Sequence, residues 1–301
     1  MTDSGVPRVR TLDGPRDEVR AQGGGPDQSP IPPVDVVAPA LTSAPLMSQR
    51  WCDLAFLHWF VRPERVAAVM PAGAAPDVVP HGRFAGTTPV ALVPFRMADA
   101  GFGGGPGIPF FGAFWETNVR LYSVDATGWH GVVFCSLDAS RLAVVLAARM
   151  TLGLPYRYSR MRGYRRTRDG ARELAWTART RWPGPAGIGS RVVVRVGDPL
   201  PTAAPGAQPD AEGENYDAKG GLAAFLTARW GLHTAVLRRT WYLPNVHEPW
   251  SLRSLELLLL DDGLLAAAGF GDLAGRPPDH ACFAEGVRTR FGSPLVVADR
   301  R

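Results

Sequence analysis

Phe114-Trp115-Glu116-Thr117-Asn118-Val119-Arg120-Leu121-Tyr122 constrains the fold more than any other stretch of the chain. Its alternation predicts a β-strand, in which successive side chains point to opposite faces. Glu116, Asn118, Arg120 and Tyr122 then share one face, and Trp115, Val119 and Leu121 share the other. A strand with one polar face usually turns that face to water. Here the polar face carries an acid, an amide, a permanent cation and a phenol in consecutive positions. The following segment, His130 to Leu137, is too apolar for an exposed edge. If the sheet closes into a barrel, the polar row lines its interior and becomes a ligand site.

The chain has 301 residues. Residues 1–46 are rich in Pro, Gly, Asp, Ser and Arg without a sustained apolar period, which predicts a disordered leader. Acidic residues within it argue against a signal or transit peptide. Residues 47–298, about 250 residues, are enough for one domain with a sizeable core. Within that domain, 199–221 is dominated by Pro, Ala, Gly and acidic residues and predicts a flexible acidic loop.

The net charge is +5, and Lys219 is the only lysine. Tyr156 to Arg168 interleaves arginines with tyrosines, but no helix-turn-helix or zinc-finger pattern accompanies it. A strand pair with an arginine-rich solvent face accounts for it, so no nucleic-acid partner is expected. Cys52, Cys135 and Cys282 are widely spaced and form neither a disulfide framework nor a metal pair. The expected setting is a reducing cytoplasm. The longest apolar run, Leu255 to Phe270, is broken by Asp261-Asp262-Gly263, so no membrane span is expected.

Trp51 to Val61 is densely apolar and aromatic, with Asp53 and His58 set inside it. Strands are expected over Thr88 to Met97 and His130 to Leu137, and over Tyr156 to Arg166 and Glu173 to Trp182, the last two joined through Asp169-Gly170. Further strands are expected at Arg191 to Val196, His233 to Leu243, Leu255 to Leu260, Leu264 to Phe270 and in the stretch Ala281 to Val297. A short helix follows Pro63. Asp138 is positioned to cap a helix over Ala139 to Met150, whose stripe would be Leu142, Val145, Leu146 and Arg149. Another helix is expected over Leu222 to Trp230. The glycine-rich stretch Gly101 to Gly112 lacks the GxxxxGK[ST] arrangement of a phosphate loop. Many strands with two or three packing helices predict a mainly β (α+β) fold, an antiparallel barrel or cone.

The ordered set Trp51 to Trp59, Phe114 to Tyr122, Ala148-Arg149-Met150 through Leu154-Pro155-Tyr156, Phe225 to Trp230, and His247-Glu248-Pro249-Trp250 resembles the YqjF-like domain-of-unknown-function family over about Ser48 to Val297. Leu121 stands where that family usually has threonine, and Trp230 where it usually has tyrosine. The resemblance implies the acetoacetate-decarboxylase-like fold, a barrel or cone around a small-molecule cavity. Acetoacetate decarboxylases carry a glutamate on a central strand, to which Glu116 is similar. They also carry two adjacent lysines after a Gly-aromatic-Pro turn, the first of which forms a Schiff base. Leu154-Pro155 resembles that turn, but Tyr156 and Arg157 follow it. Arginine cannot supply the unprotonated amine that a Schiff base needs. Lysine-based decarboxylation is therefore not expected.

These residues predict a cavity for a small organic acid or carbonyl compound. Arg120 or Arg149 would hold an anionic group, while Asn118, Tyr122, Tyr156 and His247 would contact or orient the ligand. Glu116, raised in pKa by burial, would serve as acid or base. The alternative within the same residues is an internal ion-pair network of Glu116, Arg120 and Arg149. No metal site is expected, because no histidine pair has ligand spacing, and no cofactor is expected. Gly187-Ile188-Gly189-Ser190-Arg191 is not a hydrolase elbow. A homo-oligomer is compatible with this reading. The competing function is a non-enzymatic sensing or protein-interaction module that docks through the arginine-rich strands.

Overall fold

The alternation of Phe114 to Tyr122 is the wall between two apolar interiors. In the computed structural model, which describes residues 34–201, 216 and 220–297, this segment forms the start of β4 (Phe114–Asp125). The other strands are β1 (Met47–Val61), β2 (Ala74–Pro76), β3 (Thr88–Phe102), β5 (His130–Ala139), β6 (Tyr156–Arg168), β7 (Ala171–Trp182) and β8 (Gly189–Pro199). They continue as β9 (Gly231–Val236), β10 (Arg239–Val246), β11 (Leu252–Asp262), β12 (His280–Phe291) and β13 (Leu295–Val296). Among the described residues five short α-helices accompany them: α1 (Glu64–Ala67), α2 (Leu142–Leu152), α3 (Gly221–Thr227), α4 (Leu264–Ala267) and α5 (Gly271–Ala274). Much of the expected leader and acidic loop, including Lys219, lies outside the described residues.

The strands form one hydrogen-bonded sheet that closes on itself twice. One circuit runs β5-β6-β7-β8-β11-β12-β1-β3-β4 and returns to β5. The other leaves β5 through β9 and β10 and rejoins at β12. Most pairs are antiparallel. β5 makes the exceptions, running parallel to both β6 and β9. The shared strands β1, β3, β4 and β5 are therefore buried on both faces along most of their length. Leu54, Phe56, Phe95, Phe114 and Tyr122 belong to one core, while Leu57, Trp59, Leu92, Val119 and Leu121 belong to the other. Closure also removes most strand edges.

Two bulges make this double lining work. Asp53 has φ 53°, and the β1–β3 register shifts between Cys52 and Leu57. An extra residue reverses strand parity. Consequently Trp51 before the bulge and Leu54 and Phe56 after it all face the same cavity. β5 does likewise, its register against β4 shifting between Val119 and Arg120 so that Phe134 and Leu137 both face inward. Opposite the first bulge, Gly286 has φ 137°, and a Cβ there would lie 2.0 Å from the Trp51 carbonyl oxygen. Only glycine fits.

Four local expectations change. His233 to Leu243 is not one strand but a hairpin, β9 and β10, which turns at Leu237-Arg238, both at positive φ. Asp138 caps nothing: it is buried at the end of β5, where its carboxylate accepts from Arg157, Ser159 (2.6 Å) and Thr180 (2.7 Å). The α2 stripe is rotated, with Val145 buried, Ala148 and Leu152 facing the cavity, and Leu142 and Leu146 exposed. Leu264 to Phe270 is no strand. The Asp262 carboxylate accepts from the Leu265 N–H at 2.8 Å and starts α4 there.

Candidate functional site

The smaller circuit encloses a cavity of about 380 Å³. Its walls are mostly aromatic and aliphatic, with Trp51 and Trp250 lying nearly parallel at a ring separation of 6.0 Å. Into this apolar space β4 projects Glu116, Asn118 and Arg120. Strand rise separates the first and last of these by about 13 Å, so the cavity has two chemically different ends.

Glu116 defines one end. It is buried, and the Tyr156 hydroxyl donates to its Oε2 at 2.9 Å. Burial pushes the carboxyl up to about 7, against the opposing hydrogen bonds from Tyr156 and Asn118. Among the described residues no cation pairs with it. At neutral pH it is therefore poised between acid and base. The Asn118 Oδ1 is buried without a partner.

Arg120 defines the other end. Its Nη2 donates to the Tyr122 hydroxyl at 2.9 Å, and its guanidinium lies 5.2 Å from the Phe56 ring centre. It has no carboxylate partner among the described residues, and its Nε is buried without an acceptor. Tyr122 lies behind Arg120 rather than in the cavity lining. Its single hydroxyl hydrogen goes to the Leu226 carbonyl at 3.0 Å, so His58 Nε2, 2.8 Å away, must donate to it. His58 in turn faces His280 at 3.3 Å. Tyr122 is thus a strut that sets the guanidinium in place.

His247 also lines the cavity, ringed by Trp51, Trp230 and Trp250. Its Nδ1–H donates to the Glu248 carbonyl at 2.7 Å, which leaves Nε2 as an acceptor. Burial lowers its pKa to about 4, so the ring is neutral. Arg149 is elsewhere. It is exposed, stacks 5.7 Å from the Trp182 ring centre and donates to the Tyr156 carbonyl at 2.9 Å, so it neither meets Glu116 nor enters the cavity. The arginines of β6 are partly neutralised within the fold: Arg157, Arg165 and Arg166 pair with Asp138, Asp53 and Glu173.

Residues 48–288 match the DUF2071 family, described as uncharacterized conserved proteins. The chain belongs to this family. It is 29% identical to the uncharacterized protein YqjF of Bacillus subtilis (strain 168) over 219 residues, which cover 70% of this chain and 76% of that protein. An acetoacetate decarboxylase-like enzyme from Sphingomonas wittichii RW1 superposes with a TM-score of 0.52 at 12% identity, over 87% of this chain and 97% of that one. The DUF2071 chain therefore has the acetoacetate-decarboxylase-like fold.

In this DUF2071 protein Leu154-Pro155 is followed by Tyr156, which spends its hydroxyl on Glu116. None of the described residues is a lysine. The structure also brings in two residues that the sequence reading did not place at the site. Arg229 lines the cavity just beyond α3, its Nε buried without a partner and its Nη1 bonded to Asp77. Burial alone would raise the Asp77 carboxyl, but Arg229 and His130 hold it below its ordinary value. Asn245 adds a buried Oδ1 without a donor. The arginine ending the Leu222-Phe225-Leu226 stripe was a signal for Arg229. Asn245, on an ordinary strand, gave none.

Proposed function

We propose that this protein binds a small organic acid or carbonyl compound in the barrel cavity, with Arg120 holding the anionic group and Glu116 supplying acid or base chemistry. One observation carries the reading. Among the described residues Arg120 presents a permanent charge to an apolar cavity without a carboxylate partner, whereas Arg229 beside it is neutralised by Asp77. An uncompensated charge in such a setting is costly, and a ligand carboxylate relieves it through paired hydrogen bonds. Unpartnered acceptors on Asn118 and Asn245 supply sites for a hydroxyl or amine on the same ligand. The aromatic walls match an apolar body. Glu116, titrating near 7, can give a proton to a carbonyl oxygen or take one from the carbon beside it. No Schiff base enters this chemistry.

The test is a thermal-shift screen of organic acids, keto acids and aldehydes against wild type, Glu116→Gln and Arg120→Leu. A true ligand at hundredfold excess over its Kd raises the wild-type Tm by roughly 5 °C or more. Arg120→Leu, still folded, loses the shift for acids. Glu116→Gln keeps binding but loses any turnover. If no compound moves wild type and both variants melt far earlier, the polar row is structural and the reading fails.

A further inference from the structure

On the opposite side of β4 from the cavity lies a second recess of about 340 Å³, and its chemistry is the reverse of the first. Arg96 from β3, Arg141 at the start of α2 and Arg160 from β6 line it, and no acidic residue does. None of the three has a carboxylate partner among the described residues. Elsewhere on β6, Arg157, Arg165 and Arg166 each take one. Arg141 is anchored at the rim, its Nε donating to the Phe110 carbonyl at 3.2 Å with the guanidinium 4.3 Å from the Phe110 ring centre.

The recess has a built floor. Trp115 pairs across the ladder with Arg96 and exchanges two bonds with Ser140, each 3.0 Å long. Its indole lies against Gly163, where a Cβ would come within 2.2 Å of the ring. Tyr158 supplies a second aromatic wall. Three guanidiniums in a polar recess beside two half-buried aromatic rings are a recognition set for a phosphate group attached to a planar ring. We infer that this recess binds a small organic phosphate, with the phosphate on Arg96, Arg141 and Arg160 and a planar ring against Trp115 and Tyr158. It borders the acid-binding cavity at Phe114, but its arginines are not among the residues that line that cavity.

The experiment titrates the full chain by calorimetry at low salt with inorganic pyrophosphate, adenosine and adenosine 5′-diphosphate. The expected result is saturable binding of both phosphates, tighter for the nucleotide, and none of adenosine alone. Arg96→Leu and Arg160→Leu each weaken it by about tenfold or more. Arg162→Leu, on the same strand but outside the recess, leaves it unchanged, as do Glu116→Gln and Arg120→Leu. Melting curves of each variant establish folding. The inference is overturned if neither phosphate saturates, or if Arg162→Leu weakens binding as much as Arg160→Leu, which would mean diffuse charge attraction. Loss with Arg120→Leu would place the phosphate in the main cavity instead. Equal affinity for pyrophosphate and nucleotide would overturn the ring assignment.

Discussion

Glu116 makes stability and protonation interdependent. Its carboxyl titrates near 7 in the folded chain, against an ordinary 4.5, because burial disfavours the charged form. Between those values the unfolded chain has released a proton that the folded chain still holds. Stability therefore falls as pH rises from about 4.5 to about 7 and is level above that. The loss attributable to this group is on the order of 3 kcal/mol. Glu116→Gln keeps an acceptor for Tyr156 and cannot ionise, so urea unfolding at several pH values should show this component of the slope removed. A slope identical to wild type would mean that Glu116 ionises freely in the fold.

At the scale of elements, the bulges carry more of the site than the strands do. Gly286 lets β12 approach β1 where Asp53 reverses its parity. Gly286→Ala places a methyl against the Trp51 carbonyl in a strained conformation, and should cost roughly 2 kcal/mol or more in a denaturant melt. An unchanged midpoint would show that the bulge relaxes freely. This level was also the hardest to read from sequence. The face of β4 was legible because Glu116, Asn118 and Arg120 keep strict alternation. β1 and β5 were not, because Trp51 and Leu54, or Phe134 and Leu137, break parity, and nothing local announces an inserted residue. α2 was misphased because a helix beside a cavity can bury small residues such as Ala148 and leave Leu142 and Leu146 outside. Asp261-Asp262-Gly263 reads equally as a hairpin turn or a helix start, and only the Asp262 bond to Leu265 decides between them.

For the whole molecule, two closed circuits sharing one wall separate binding from support. Along most of their length the shared strands present a cavity on one face and a filled core on the other. That division distributes the tryptophans unevenly. Trp51 and Trp250 line the cavity as a near-parallel pair, whereas Trp59 and Trp176 are sealed in the other core. Parallel indoles this close couple their transitions, so an occupant that shifts either ring should change the near-ultraviolet dichroism and emission of the pair. Trp250→Phe should abolish most of that response, and Trp59→Phe should leave it intact. The protein thus carries its own optical reporter: compounds can be screened without a label, and light emitted from the silent compartment serves as the internal reference.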